Sequence, residues 1–129
     1  ESTSGAKIHW RGSISGDEAL RLHYCAADVI AVPSREDNMP LTAMEAQSCG
    51  RPVCAFSLGG LTDIVETPFT GILTAQFHTK SFASSLLQIL DSDIDATAMS
   101  NQARKRAFNT WSNPLVVAAY LGCYSATQT

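Results

Sequence analysis

Two carboxylates eight positions apart, Asp37 and Glu45, are the residues whose type and spacing best suit chemistry. They sit at the opening of a helical pattern introduced by Arg35-Glu36-Asp37-Asn38. On a regular helix eight residues turn about 80° and rise roughly 10–12 Å, so both acids point towards a similar side. That rise is about the span of a diphosphate with a sugar at each end. Free N–H groups at a helix start favour an anion, and carboxylates accept hydrogen bonds from sugar hydroxyls. The spacing therefore suits a nucleotide-sugar. The same residues also have plainer readings: Asp37 as an N-cap acid, Glu45 as a surface glutamate, and Gly59-Gly60 as a tight turn.

The elements that must hold these residues alternate between short apolar runs and helical patterns. Residues 7–10 read as a short strand, followed by a turn at Arg11-Gly12-Ser13. Ser15 and Glu18 have capping-box spacing for a helix to about Ala27, with Ala19, Leu20, His23 and Tyr24 along one side. Residues 28–32 read as a strand of the kind buried on both faces in a parallel sheet, halted by Pro33-Ser34. Asn38 caps the next helix, whose first turn tolerates Pro40 and which ends at Cys49-Gly50. A strand over 52–56, the Gly59-Gly60 turn, a short helix over 61–66 and a strand over 71–74 follow. From Thr79 the pattern is helical only. Phe82, Ala83, Leu86, Leu87 and Leu90 form one stripe. A helix over 93–108 has Ala96, Met99, Ala103 and Ala107 on its apolar side. A last helix, capped by Asn113-Pro114, carries Val117, Tyr120, Leu121 and Tyr124. This alternation predicts an α/β fold: a Rossmann-like parallel sheet of about four strands with flanking helices and a helical C-terminal tail. One domain covers 1–129, with strand–helix repeats over 6–78 and the tail over 79–129. Ligands in such sheets bind outside the carboxyl ends of the strands, here the loops at 11–15, 34–41 and 57–61.

Composition narrows the classes. A chain of 129 residues that is 45% hydrophobic and only 16% charged has the makings of one packed domain, not a disordered segment. No apolar run approaches the ~20 residues of a membrane span, and the first residues lack the pattern of a secretory signal. Net charge is −3, and the single basic cluster, Arg104-Lys105-Arg106, has no interleaved aromatic residue. It reads as a solvated helix face, with no nucleic-acid partner. Cys25, Cys49, Cys54 and Cys123 form no CxxC and stand away from His9, His23 and His78, so a zinc site is not expected. Most of them lie in apolar surroundings and read as small core residues of a cytosolic protein.

The segment with Pro33-Ser34, Asp37, Glu45-Ala46 and Cys49-Gly50-Arg51-Pro52-Val53, followed by Gly59-Gly60-Leu61-Thr62-Asp63-Ile64-Val65 and Thr70-Gly71, resembles the signature of group 1 (family 4) glycosyltransferases. The likeness runs from Ile8 to about Thr74 and resumes weakly from Ala103-Arg104 through Tyr120. It implies a GT-B enzyme with two Rossmann-like domains, the C-terminal one binding the nucleotide-sugar. Such enzymes usually retain anomeric configuration and need no divalent metal. By position, Asp37 is the first acid of the E-x7-E motif, contacting donor sugar hydroxyls, and Glu45 the second, holding the ribose hydroxyls. Asn38, Met39, Pro40 and Leu41 would supply backbone contacts to sugar and phosphates, with Thr42 a lesser phosphate candidate. Arg11, Gly12, Ser13 and Ile14 would lie along the nucleobase.

Two departures accompany the resemblance. The first acid is Asp37 rather than Glu, with Glu36 offset by one position. The family's domain also begins with two further β-α units carrying an Arg and a Lys that clamp the diphosphate, and none of Arg11, Arg35 or Arg51 stands at the clamp's place. In the family's strand order 3-2-1-4-5-6 those units supply the two strands between 7–10 and 28–32. The expectation is that these two strands pair directly, or that the exposed edge pairs between copies as a homo-oligomer. The implied function is a partial donor-binding domain for a UDP- or GDP-linked sugar. Its glycan or lipid-linked acceptor would be bound by an N-terminal domain, in polysaccharide biosynthesis. The implied place is cytoplasmic, membrane-peripheral in the whole enzyme, with the fragment alone inactive. The alternative is a non-catalytic nucleotide-binding or oligomerisation module derived from such an enzyme. An NAD-binding Rossmann domain is disfavoured because no GxGxxG follows a strand.

Overall fold

Short apolar segments become parallel strands here because helices carry the chain back between them. The computed structural model describes residues 5–91 and 95–126. Its elements in chain order are α1 (Asp17–Ala26), β1 (Ile30–Val32), α2 (Leu41–Ser48), β2 (Val53–Phe56), α3 (Leu61–Ile64), β3 (Gly71–Thr74), α4 (Thr79–Leu90), α5 (Ala96–Trp111) and α6 (Asn113–Ala126). The strands form one parallel sheet in the order β1-β2-β3. Ile30 stands opposite Val53 and Val32 opposite Ala55, while β2 pairs with β3 from Val53 opposite Gly71 to Phe56 opposite Thr74. β2 is buried along its whole length. Its alternating side chains feed two cores. Val53 and Ala55 join Val32, Ala43, Ala46, Leu61 and Ile64 on one face. Cys54 joins Ile72, Ile89 and Met99 on the other.

Several expected elements differ. Residues 7–10 form no strand; Ile8 and Trp10 are exposed, and among the described residues no neighbouring strand offers a ladder to their backbone. The sheet therefore has three described strands rather than four, and direct pairing of 7–10 with 28–32 does not occur. β1 is shorter than expected and is not buried on both faces, because it is an edge strand with Ala31 exposed. The cap of α1 is Gly16 at φ 93°, not Ser15, and Glu18 pairs with Arg21 instead of closing a capping box. α3 stops at Ile64, two residues early. On α4 the inward stripe is Phe82, Leu86 and Ile89, leaving Ala83, Leu87 and Leu90 exposed. α5 runs on to Trp111, with Met99, Ala103 and Ala107 buried. Its expected start at Asp93 lies outside the described residues. α6 forms as expected but buries none of its residues, so Val117, Tyr120, Leu121 and Tyr124 remain exposed. Of the cysteines, Cys54 is buried, Cys25 and Cys49 are half-buried, and Cys123 is exposed rather than in a core. No described helix is long and apolar enough to cross a membrane.

The basic cluster is a solvated face only in part, with Arg104 and Lys105 exposed and Arg106 half-buried. Arg104 donates to the Ser48 carbonyl at the end of α2. Arg106 donates through Nε to the Ile64 carbonyl at 2.9 Å, and its terminal nitrogens reach the Asp63 carbonyl and the Glu66 carboxylate. Its guanidinium lies 5.7 Å from the centre of the Trp111 ring. The wholly buried Gln47 donates to the same Ile64 carbonyl and to Thr70 Oγ1, both at 3.1 Å. The carbonyls left over at the end of the four-residue α3 are thus satisfied by side chains of α2 and α5. Truncating Arg106→Ala should cost about 1 kcal/mol, the net worth of its hydrogen bonds, because Gln47 still serves the Ile64 carbonyl and the other two acceptors are exposed. Urea denaturation checks this. An unchanged midpoint would mean that water serves these carbonyls equally well.

Candidate functional site

The loop joining β1 to α2 crosses the carboxyl end of the sheet, and Pro40 sets where it ends. Pro40, with no N–H and φ −67°, ends the loop and stands as the N-cap of α2. Its carbonyl accepts from the Ala43 and Met44 amides at 3.1 and 3.5 Å. The amides of Leu41 and Thr42 then have no acceptor among the described residues, and they open towards the loop as an anion-favouring start. Asn38 does not cap the helix. Asp37 lies in the loop, not on α2, so the rise calculated for eight helical residues does not apply to the pair of acids.

The loop rests on the Gly59-Gly60 turn that follows β2. The Gly60 N–H donates to the Asp37 carbonyl at 3.3 Å. A Cβ on Gly59 would lie 2.0 Å from the Asp37 carbonyl oxygen, and one on Gly60 would lie 1.8 Å from that of Asn38. Both distances are well inside contact, so only glycine permits the approach. Gly59 also has φ +49°, which glycine adopts freely. The turn is therefore a seat for the backbone of residues 37–39, beyond a simple reversal of the chain. Beside it, Gln76 after β3 donates to the Ser57 carbonyl at 2.9 Å, tying the connection after β3 to the one after β2.

Glu45 is half-buried one turn into α2. Its Oε2 accepts from the Tyr24 hydroxyl of α1 at 2.9 Å. That bond leaves Oε1 with no partner among the described residues. The two helices enclose an open groove of about 280 Å³, lined by Leu20, Arg21, Tyr24, Glu45 and Cys49 among others. Burial, then the Glu45 carboxylate, push the Tyr24 phenol up to about 12. The hydroxyl thus keeps its proton at neutral pH and donates it to Glu45. Tyr24 was read in the sequence only as part of an apolar helix side. The signal available was its type: a phenol on the buried side of a helix needs a partner for its hydroxyl.

The remaining predicted residues are less gathered. Asn38, Met39, Leu41 and Thr42 are exposed and Pro40 is buried, all along the loop and first turn of α2. Arg11, Gly12 and Ser13 are exposed and Ile14 is half-buried, and none of the four lines the Tyr24–Glu45 groove. The structure brings Glu45 against α1 and Asp37 onto the glycine turn. Residues 11–14 stand outside the groove lining.

Parallel strands with their loops gathered at the carboxyl edge, and helices returning the chain between them, define a Rossmann-like α/β domain. The chain belongs to the glycosyl transferases group 1 family, whose model matches residues 3–106. It is 40% identical over 93 residues to a D-inositol 3-phosphate glycosyltransferase of Kineococcus radiotolerans, which covers 66% of this chain and 21% of that protein. A D-inositol 3-phosphate glycosyltransferase of Corynebacterium diphtheriae is 42% identical over 96 residues, 74% of this chain and 22% of that one. The chain thus spans about a fifth of the length of the curated relatives it matches. Among solved structures, sucrose-phosphate synthase from Thermosynechococcus elongatus superposes with a TM-score of 0.79 at 29% identity, covering 85% of this chain and 28% of that one. HepE of Anabaena, solved in complex with UDP, superposes at 0.71 with 20% identity, covering 83% and 29%, a likeness of fold.

The Tyr24–Glu45 bond has a pH signature. An unfolded phenol titrates near 10, whereas folded Tyr24 titrates near 12. Its contribution is complete below pH 10 and is lost as pH rises from 10 through 12, because only the unfolded chain releases the proton in that window. Urea midpoints at pH 9 and 11.5 should show this loss in the parent chain, up to about 2 kcal/mol. Tyr24→Phe should show correspondingly less. Equal losses in both would contradict the assignment.

Proposed function

We propose that the chain is the donor-binding part of a retaining GT-B glycosyltransferase, a single partial domain that binds a nucleotide-sugar at the carboxyl edge of its sheet. The observation that carries this reading is Glu45, half-buried in the groove with one carboxylate oxygen engaged by Tyr24 and the other left to accept. A fixed carboxylate with one open oxygen suits a pair of vicinal hydroxyls such as those of a ribose. Asp37, seated on the glycine turn, would accept from hydroxyls of the transferred sugar. The open amides of Leu41 and Thr42 would donate to the diphosphate between them. Residues 38–41 would line the sugar and phosphates with backbone, and Arg11 to Ile14 would lie by the base.

In the whole enzyme the chemistry would be departure of the nucleoside diphosphate, eased by donors already aimed at its developing charge, without a protein nucleophile. A UDP- or GDP-linked sugar is the donor class. A glycan or lipid-linked acceptor would be held by a separate domain, in a cytoplasmic or membrane-peripheral enzyme of polysaccharide synthesis. This chain by itself would bind donor without efficient turnover. A second reading, a non-catalytic module that binds nucleotide or a further copy, draws on the open edge of β1 and on the uncovered apolar side of α6.

Titration of the labelled chain with UDP, GDP and ADP, followed by amide NMR, tests the nucleotide site and separates it from a module that binds only a further copy. The expected result is shifts over residues 38–45 for one nucleotide, lost in Glu45→Ala. No shifts up to millimolar nucleotide, with the fold intact, would overturn the donor-site reading in favour of the module.

A further inference from the structure

Arg35 leaves the backbone two residues before Asp37 and lies across the end of the sheet. Its guanidinium carbon is 5.6 Å from the centre of the Phe77 ring, within cation–π range. The ion pairs among the described residues are Arg21–Glu18 and Arg106–Glu66, so Arg35 pairs with neither Glu36 nor Asp37, the two acids that follow it. Phe77, just past β3, has φ +58° and is the one non-glycine residue with positive φ among the described residues. A side chain with a Cβ disfavours that conformation, which persists only where its surroundings hold it. Here aromatic rings supply that hold. The Phe77 ring meets Phe56 edge-on at 5.9 Å, and Phe56 lies 5.0 Å from Phe82 in the core. The strained residue therefore has its ring anchored to the core through Phe56 while its face carries Arg35.

The loop bearing Asp37 is then held at two points, by Gly60 on the Asp37 carbonyl and by Phe77 beneath Arg35. One anchor belongs to the connection after β2, the other to the connection after β3. The choice of an aromatic partner matters. A carboxylate partner for Arg35 drawn from its own loop would be Glu36 or Asp37, and pairing with Asp37 would occupy the oxygens that must accept from a ligand. Phe77 takes up the cation without using an acceptor. Glu45, by contrast, is oriented from α1 by Tyr24 and does not depend on this loop contact.

We infer that the Arg35–Phe77 contact is a positioning device that keeps the Asp37 carboxylate free and in place, and so sets how strongly the site prefers a nucleotide-sugar over the bare nucleotide. This rests on the reading of Asp37 as the acid of the transferred sugar and Glu45 as the acid of the ribose. Loosening the contact should disturb the sugar end of the ligand and spare the nucleotide end. A merely structural role would weaken both ends together.

The test measures the affinities of UDP and UDP-glucose, and of GDP and GDP-mannose, for the parent chain, Arg35→Ala, Phe77→Gly and Phe77→Tyr. Glycine adopts φ +58° freely, so Phe77→Gly removes the ring without straining the backbone. Phe77→Tyr keeps the ring face. For the pair the parent binds, Arg35→Ala and Phe77→Gly should each weaken the nucleotide-sugar about two- to fivefold and leave the nucleotide unchanged, while Phe77→Tyr behaves as the parent. Equal weakening of nucleotide and nucleotide-sugar, or no weakening of either, would overturn the inference. A parent chain that binds none of the four would instead overturn the donor-site reading on which it stands.

Discussion

The site depends on one steric constraint, the absence of a Cβ at Gly59 and Gly60. The backbone of residues 37–39 comes so close to this turn that any side chain carbon there would fall about 2 Å or less from a carbonyl oxygen. The loop between β1 and α2 is thereby laid directly on the loop after β2. Everything the loop carries follows from that seat. Asp37 stands in the loop rather than on the helix, Pro40 starts α2 where it does, and the first amides of α2 are left open.

The seat can be rigid because β2 is the central strand and is buried on both faces. Its turn moves only if both cores move. The supports outside the sheet address the same problem from other sides. Tyr24 holds Glu45 from α1, Gln76 fastens the β3 loop to Ser57, and Arg106 with Gln47 closes the end of α3, which begins at the glycine turn itself. Side chains on loops are held precisely only when such contacts over-determine them, and here the contacts come from α1, the connection after β3, α2 and α5. The helical tail contributes through α5 and not through α6, whose apolar side stays uncovered.

How much was legible in the sequence varied with the kind of physics involved. The strand at 71–74, the core of the strand at 52–56 and the end of α2 at Cys49-Gly50 were readable because apolar runs and Gly/Pro punctuation act locally. The strand over 7–10 was not, since a strand exists only through a partner and none is described beside it. Periodicity could not choose between the two overlapping stripes of α4, because Leu86 and Ile89 look no more apolar than Leu87 and Leu90. Arg104 and Arg106 looked solvated because carbonyl acceptors 40 and more positions away leave no local mark. In the candidate site, helix spacing misplaced Asp37, which lies in the loop before α2, so the family likeness and not the spacing is what singles out Asp37 and Glu45. Their supports were not legible: Tyr24 was read for its ring and not its hydroxyl, and Gly59-Gly60 for its turn and not for what lies upon it.

The most direct test of this account is Gly60→Ala, with Gly122→Ala as control, since a Cβ at Gly122 meets nothing within 4 Å. The amide spectrum reads the backbone of the loop directly. Gly60→Ala should displace the amide resonances of Asp37, Asn38 and Met39 and abolish nucleotide-induced shifts, while the strand amides of β2 and β3 stay where they are and Gly122→Ala changes neither. A Gly60→Ala chain whose loop amides coincide with the parent's, and which responds to nucleotide as the parent does, would contradict it.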